Sequence, residues 1–408
     1  MRIRTLAIIL TATLTLQSET LRQGVYDSAF HTLQVSVNGN PLAVPVIPLD
    51  GRDVITVSFD ELTDEVSDLR YELIHCTADW EPSLINESEY LDGFNVADVE
   101  DARFSRGTQV HYVNYRIDLP NQEMLPTLSG NYALRVYRRE DPDHTVAMAR
   151  FGISEQSVTL EDAQVSAHTD IDNNDKHQQV SFTLGVPEAL GRINIYTDLK
   201  CRISQDNRAD RTASVSTPLR VSGNQAIFEH NRNLIFPAGN EYRRFEFIST
   251  QWPGLGVDNI IRKPDISVVT LNVDHPRFDR QYSYDQTQSG GYVIRNYDAF
   301  KDSDLEADYC LVNFTLKAPR SPKPVWIEGD ITDRRLDDTS AMEWDEENAT
   351  YHKTLLLKQG HYNYQYVAED ARTEIEGNFH PTQHQYTLRV YYRLPGDRYD
   401  RLAAVYIL

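Results

Sequence analysis

The chain has 408 residues, 40% hydrophobic and 10% aromatic, enough apolar content to build packed cores and enough length for two to four domains, so disorder is not its default state. A formal net charge of −21, from 40 Lys+Arg against 61 Asp+Glu, repels phosphate backbones, and no Lys/Arg-rich run stands against that field, which excludes nucleic acid as a partner. The 23 tyrosines against 4 methionines favour strands, because aromatic residues suit a pleated, half-buried surface.

In chain order, the first segment, "MRIRTLAIILTATLTLQSET", pairs a short basic region at Arg2 and Arg4 with an apolar run from Leu6 to Leu16. That run has signal-peptide length and is too short to span a bilayer comfortably; Leu16 and Ser18 occupy the −3 and −1 positions of a cleavage site, giving a signal peptide over residues 1–18. A buried N-terminal strand is the alternative. No later apolar run is long enough for a membrane helix, so no direct membrane span is expected.

Strand-like alternation then recurs to the end of the chain. "DVITVSFDEL" puts Ile55, Val57 and Phe59 on one face and Thr56, Ser58 and Asp60 on the other. The same reading aligns Tyr132, Leu134 and Val136, then Val180, Phe182 and Leu184, then Tyr386, Leu388, Val390 and Tyr392. Turn clusters such as "SVNGNP", "DIDNNDK" and "TQSGG" separate the runs, and only "DELTDEVSDL" suits a short helix. Without a βαβ rhythm, this pattern predicts an all-β chain of tandem antiparallel β-sandwich modules of immunoglobulin-like or E-set type. Three are expected, over residues 19–155, 156–274 and 275–408.

Motifs for chemistry are scarce. G-x-S-x-G, H-E-x-x-H and a Walker loop are absent, and "GLGVDN" stops short of a dinucleotide fingerprint. His380 and His384 are four apart, but Pro381 and the following strand argue against a helical metal pair. "DIDNNDKHQQVS" begins like a calcium loop at Asp170, Asp172 and Asn174, then fails, with Asp175 at the turn-glycine position and Ser181 where a bidentate Glu belongs. Cys76, Cys201 and Cys310 are widely spaced and read as small buried hydrophobes rather than a disulfide framework. No pair of carboxylates is singled out at the separation that glycoside hydrolysis needs. The sequence therefore predicts no enzyme, no catalytic residue, no cofactor and no small-molecule substrate.

Two stretches invite a binding role. Tyr362, Tyr364 and Tyr366 fall on one face of "GHYNYQYV", opposite His361, Asn363 and Gln365. They are either a platform for sugar rings or the inward face of a sandwich, and strict alternation with polar residues favours the inward face. Trp80, Tyr90 and Phe94 in "DWEPSLINESEYLDGF" are large aromatics among turn residues, either anchors for a partner or a cap on the first module's core, the cap being preferred.

Two resemblances add to this reading. "VWIEGDITDRRL" followed by "MEWDEENATYHKTLLLKQGHYNYQYV" resembles the early-sandwich (E-set) modules near glycogen-binding domains. Those modules carry a sugar-stacking Trp after the Gly-Asp pair, whereas here Arg334 follows Gly329 and Asp330. Seven collinear pieces, from "VITVSFDEL" and "YELIHCTADWEPSLINESEYLDGF" to "IEGNFHPTQHQYTLRVYYR" and "PGDRYDRL", resemble the plug protein of the Bacteroidetes type IX secretion system over nearly the whole chain. The first module carries that signature best, at Cys76, Asp79, Trp80, Ser83, Tyr90, Gly93 and Phe94.

The second resemblance implies a non-enzymatic periplasmic protein that seals the giant outer-membrane β-barrel translocon, associated with the outer membrane through that partner. Which residues touch the partner is left unknown. An exported carbohydrate-binding protein is the alternative, and an orphan glycosidase a third reading.

Overall fold

The computed structural model describes residues 21–168, 174–190, 193–298, 302–370 and 373–408; the expected signal peptide and the Asp170–Asp172 part of the calcium-like loop lie outside them. The regular structure of the described chain is nearly all strand, arranged as three two-sheet sandwiches, each closed over its own apolar core. Strand ladders are antiparallel except at two places, where Gly152–Ser154 runs parallel to Val46–Pro48 and Ser267–Thr270 parallel to Cys310–Asn313, the latter followed by an isolated parallel bridge from Asp274 to Leu316.

The first sandwich sets Phe30–Val37, Ile55–Glu61, Val113–Leu119 and Asp101–Phe104 against a sheet centred on Leu69–Cys76, Gly130–Arg138 and Asp141–Ser154. The alternation read from the sequence fixes its core: Ile55, Val57 and Phe59 are fully buried and face Leu73, Tyr132 and Leu134 in one cluster. Their opposite face is not solvated as a one-sided sheet would be. Asp60 lies beneath the third sandwich, 1% exposed, with Lys358 Nζ 2.6 Å from its Oδ2. The Tyr309 hydroxyl donates to the same oxygen at 2.7 Å, and Asn114 Nδ2 donates to Oδ1 at 2.8 Å.

The expected modules 156–274 and 275–408 do not match the sheets. Tyr386–Tyr392 and Arg401–Ile407, placed in the last module by their position in the chain, complete the second sandwich: Tyr386–Tyr392 pairs with Leu199–Gln205 in register Leu199↔Tyr392 to Gln205↔Tyr386. Their inward residues Leu388 and Val390 pack with Val180, Phe182, Leu184 and Cys201. Conversely, Arg243–Phe247, Val257–Ile261 and Ser267–Leu271, placed in the middle module, build the third sandwich with Tyr309–Leu316, Thr350–Lys358 and Gly360–Ala368. The third sandwich is thus inserted into the second. Period-two alternation assigns a strand its buried face but not its neighbour, so the partner of "YTLRVYYR" is set by the open edge of Leu199–Gln205, some two hundred positions earlier.

The chain leaves and re-enters the second sandwich at one place. His384 Nε2 lies 2.5 Å from the carbonyl oxygen of Ala238, Thr382 Oγ1 donates to the Gly239 carbonyl at 3.1 Å, and the Gly239 N–H donates to Asn378 Oδ1 at 3.0 Å. Beside this neck His384 Nδ1 meets Asp206 Oδ2 of the second sandwich at 2.6 Å, both groups nearly fully buried. Burial pulls the imidazole pKa down, but the charge and hydrogen bond of Asp206 prevail and hold it above the ordinary range.

The first sandwich touches both others. The Tyr391 hydroxyl donates to Asn131 Oδ1 at 2.9 Å, the Ala78 N–H to Asp400 Oδ2 at 2.9 Å, and Glu155 receives both the Tyr392 hydroxyl at 2.6 Å and Arg401 at 3.2 Å. Against the third sandwich, Asp308 accepts the backbone N–H of Gln109 and of Val110, and the Tyr112 hydroxyl donates to the Ala307 carbonyl at 2.9 Å. Every pair of sandwiches is therefore joined by buried polar contacts, and the chain in addition joins the second to each of the others.

Two outcomes follow from this architecture. A chain ended at Asp274 leaves Leu199–Gln205 without its long neighbour strand, so limited proteolysis is expected to recover only the first sandwich; a resistant fragment spanning 156–274 would contradict the insertion. Asp60→Ala strands the Lys358 ammonium in the interface and is expected to cost about 3–5 kcal/mol, whereas Asp60→Leu with Lys358→Met recovers most of that loss. Urea denaturation of the two variants checks this, and a single substitution within about 0.5 kcal/mol of the parent would show that the pair is solvated.

Candidate interaction surface

Among the described residues no group of three or more His, Cys, Asp or Glu side chains could hold a metal ion. His384 is engaged by Asp206 and Ala238, and His380 meets Asp175 only through its backbone N–H, so the two histidines do not converge. His75 and Ser83 form a hydrogen-bonded pair at 2.8 Å, but the ring is 2% exposed, with its other nitrogen 3.2 Å from the Ser129 carbonyl oxygen. Burial pushes its pKa down to about 4, and edge-on contacts with Tyr132 and Tyr399 hold it as a core group. All three cysteines are free and buried, and burial raises the Cys76 and Cys310 thiols to about 12, far from nucleophilic use.

The tyrosine triplet is an inward face. Tyr362, Tyr364 and Tyr366 are 2%, 4% and 3% exposed and belong to the third sandwich's core. Their hydroxyls are satisfied inside: Tyr362 donates to the Lys358 carbonyl, and Tyr364 and Tyr366 each reach Asp274 Oδ2 at 2.7 Å. The polar face expected outside is largely covered as well. Gln365 Nε2 donates to Glu328 Oε2 on the paired strand at 2.7 Å, and Asn363 is 2% exposed beneath the segment around Ser289–Gly291, its N–H donating to the Gly291 carbonyl. Arg334, where a sugar-stacking Trp would stand, is spent internally: Nε meets Asp330 at 2.6 Å, Nη1 meets Glu328 at 3.0 Å, and Nη2 donates to the Ser289 carbonyl at 2.6 Å. The turn offers no aromatic platform.

The aromatic run of the first sandwich divides. Tyr90 is 5% exposed and its hydroxyl donates to the Leu73 carbonyl at 2.9 Å, so it caps the core as expected. Trp80, held at φ +65°, packs with Cys76 and Met148, and the Arg150 guanidinium lies 4.5 Å from its ring. Phe94 does neither. It is 78% exposed, at the end of a two-stranded ribbon formed by Leu91–Gly93 and Met124–Pro126.

That ribbon presents a defined face. Its register pairs Asp92 with Leu125 and Gly93 with Met124, and the Phe94 N–H donates to the Glu123 carbonyl at 2.9 Å. Alternation then sends Met124 and Leu91 into the core and leaves Asp92, Phe94, Glu123 and Leu125 on the outside, Phe94 and Leu125 being diagonal neighbours. Gly93, at φ +110°, permits the approach, since a Cβ there would stand 2.0 Å from the Glu123 carbonyl oxygen. Val96, 45% exposed, continues the face along Leu69–Cys76, and Leu84, 83% exposed, stands at the same edge, where the Ser83 N–H donates to the His75 carbonyl. Glu87, Asp92, Asp98 and Glu123, all exposed, flank these side chains in the chain, while Arg70 is taken by Asp98 and Arg398 by Glu89. The result is an apolar, aromatic-centred patch with an acidic rim, the composition of an interface anchor rather than of a catalytic cleft.

Comparison with known proteins bears on this sandwich directly. Residues 30–155 match the family model described as the Type 9 secretion system plug protein 1st domain. A crystal structure of a hypothetical protein from Parabacteroides merdae ATCC 43184 is 40% identical, covers 96% of this chain and 99% of its own, and superposes with a TM-score of 0.90. No curated protein matches the chain. The chain therefore belongs to the same family as the Parabacteroides merdae protein, and its first sandwich carries the domain with which Type 9 secretion system plug proteins begin.

Proposed function

We propose that the protein is a non-enzymatic periplasmic plug, which binds and seals the periplasmic opening of the giant outer-membrane β-barrel translocon of the type IX secretion system. The observation that carries this reading is the match of residues 30–155 to the plug protein first domain. Wide barrels enclose an aqueous lumen, and an idle one leaks unless something stands in it. A seal has to hold its shape against the pore, and the pairwise locking of the three sandwiches supplies a body with few soft joints. The buried tyrosines and the internally paired Arg334 weigh against the carbohydrate-binding alternative, and we read the Gly329–Asp330 turn of the E-set-like third sandwich as scaffold.

The contact face belongs, in this reading, to the family-matched sandwich, at Phe94, Leu125, Val96 and Leu84. Its acidic rim selects a partner surface that is apolar at the centre and carries Lys or Arg around it, by simple complementarity of charge. Such an interface needs about 1,000 Å² of buried area to be stable, and a plug that leaves when cargo arrives stays near that lower limit.

Affinity purification of the tagged protein from its own cell envelopes, after mild crosslinking, is expected to recover a very large outer-membrane barrel protein. Phe94→Ala with Leu125→Ala is expected to lower that yield roughly tenfold, the loss of one interface anchor of about 1.4 kcal/mol or more, while circular dichroism and melting stay unchanged. Absence of the barrel from the parent sample would sink the plug reading; full retention by the double variant would overturn only the choice of face.

A further inference from the structure

In a chain of net charge −21, positive charge gathers where the first sandwich meets the second. Arg202 and Arg389 are direct cross-strand partners on the outward face of the second sandwich, with Lys200 two positions along the same strand. Like charges placed opposite each other destabilise a sheet unless a counter-charge lies between them. Arg389 forms no ion pair among the described residues, and its Nη1 reaches only the Ser204 hydroxyl at 3.5 Å. Across the junction Arg150 projects from Asp141–Ser154 onto the ring of Trp80, and its Nε and Nη2 are buried without a hydrogen-bond partner. Arg22 adds a further charge that acts on Arg150.

Two carboxylates stand near, and both are engaged. Asp79, next to Trp80 in the chain, is taken by Lys200 and Arg202. Asp400 is held by Arg393 at 2.8 Å and accepts the Ala78 N–H. Neither reaches Arg150 or Arg389. The strain appears in their titration: burial, with Arg389 and Arg22 adding repulsion, lowers Arg150 to about 10, and burial, with Arg202 adding to it, also lowers Arg389. A guanidinium presents five N–H donors in a planar fork, and leaving such donors dry and unpaired is costly. An anion with several acceptor oxygens would satisfy such donors. The site is open to solvent on the Asp79 side, where that carboxylate is half exposed and Lys200 a third exposed.

We propose that Arg150, Arg202 and Arg389, with Lys200 at the rim, form an oxyanion-binding site at the junction of the first and second sandwiches, which takes a phosphate or a carboxylate group between the two sheets. Guanidinium groups suit either, through paired N–H donation. The bound anion would neutralise the Arg202–Arg389 repulsion and bridge two sandwiches otherwise joined there through Asp79 and Asp400. Because it binds only the assembled junction, it stabilises the folded chain by mass action.

The test uses the full mature chain, with ionic strength held constant by sodium chloride. Inorganic phosphate and acetate are titrated separately, and melting midpoint and calorimetric heat are recorded. A saturable rise in midpoint is expected for at least one anion; phosphate alone would indicate a tetrahedral group, and acetate alone a carboxylate. Arg389→Gln is expected to weaken binding of the responding anion at least about tenfold, since a charge-assisted contact is lost. Its melting midpoint in chloride alone is expected to equal or exceed that of the parent, because an uncompensated, partly buried charge has gone. Arg150→Met should behave likewise. No response beyond chloride in the parent, or an equal response in both variants, would overturn the proposal, and the midpoint in chloride separates loss of binding from loss of fold.

Discussion

The arrangement depends on the closing of the second sandwich by the last strands of the chain. Because Tyr386–Tyr392 pairs along its whole length with Leu199–Gln205, the third sandwich is tethered at both of its ends. The outgoing and returning segments lie side by side and bond to each other through Ala238, Gly239, Thr382 and His384. A body attached by one linker swings, whereas one attached by two adjacent crossings has lost most of that freedom, and every contact made beyond the neck comes at a smaller entropic cost. The first sandwich then rests on both others, so the three form a closed triangle of contacts rather than a string.

The contacts that close the triangle are unusually polar. Asp60 with Lys358, Asp206 with His384, and Glu155 with Arg401 and Tyr392 each place charge at a junction between sandwiches. Such pairs add little net stability over well-packed apolar residues, since desolvation offsets much of the Coulomb term. They are costly only when one partner is misplaced. Apolar surfaces tolerate sliding, while a buried carboxylate tolerates one position of its cation. The junctions therefore fix the relative placement of the sandwiches more than they raise the overall stability, which suits a protein whose outline matters.

The same polarity explains how far the sequence could be read. Period-two runs such as Ile55, Val57 and Phe59 are legible because a strand's buried face is a local property, and the all-β sandwich class follows from them. Asp60 and Gln365 look like solvent-facing residues in that code, yet each lies under a neighbouring segment, and no local pattern distinguishes a carboxylate facing water from one facing Lys358. The insertion was hidden for a related reason: "YTLRVYYR" reads as a strand wherever it goes, and its partner is chosen by an open sheet far away in the chain. Within the aromatic run, Tyr90 and Phe94 differ in fate because Tyr90 ends the helical turn Glu87–Tyr90 against the core, whereas Phe94 follows Gly93 on the outward side of the ribbon, in a register set jointly by Gly93 and by Met124 from a distant segment. The Arg202–Arg389 pairing is invisible for want of the same long-range register.

A rigid body and a displaceable one make opposite demands, and the distribution of side chains separates them. At Asp60–Lys358 and Asp206–His384 the junctions use buried, partnered charge, which is slow to break because an intermediate with one partner removed is strongly disfavoured. The outer patch at Phe94 and Leu125 uses exposed apolar side chains within a screened acidic rim, a combination whose strength varies with contact area and salt. Binding through that patch can thus be tuned or reversed without disturbing the junctions that hold the sandwiches together. Both the tyrosine-lined core of the third sandwich and the paired Arg334 at its turn belong to the internal class, so in the proposed plug the third sandwich would serve as a brace and the first as the part that meets a partner.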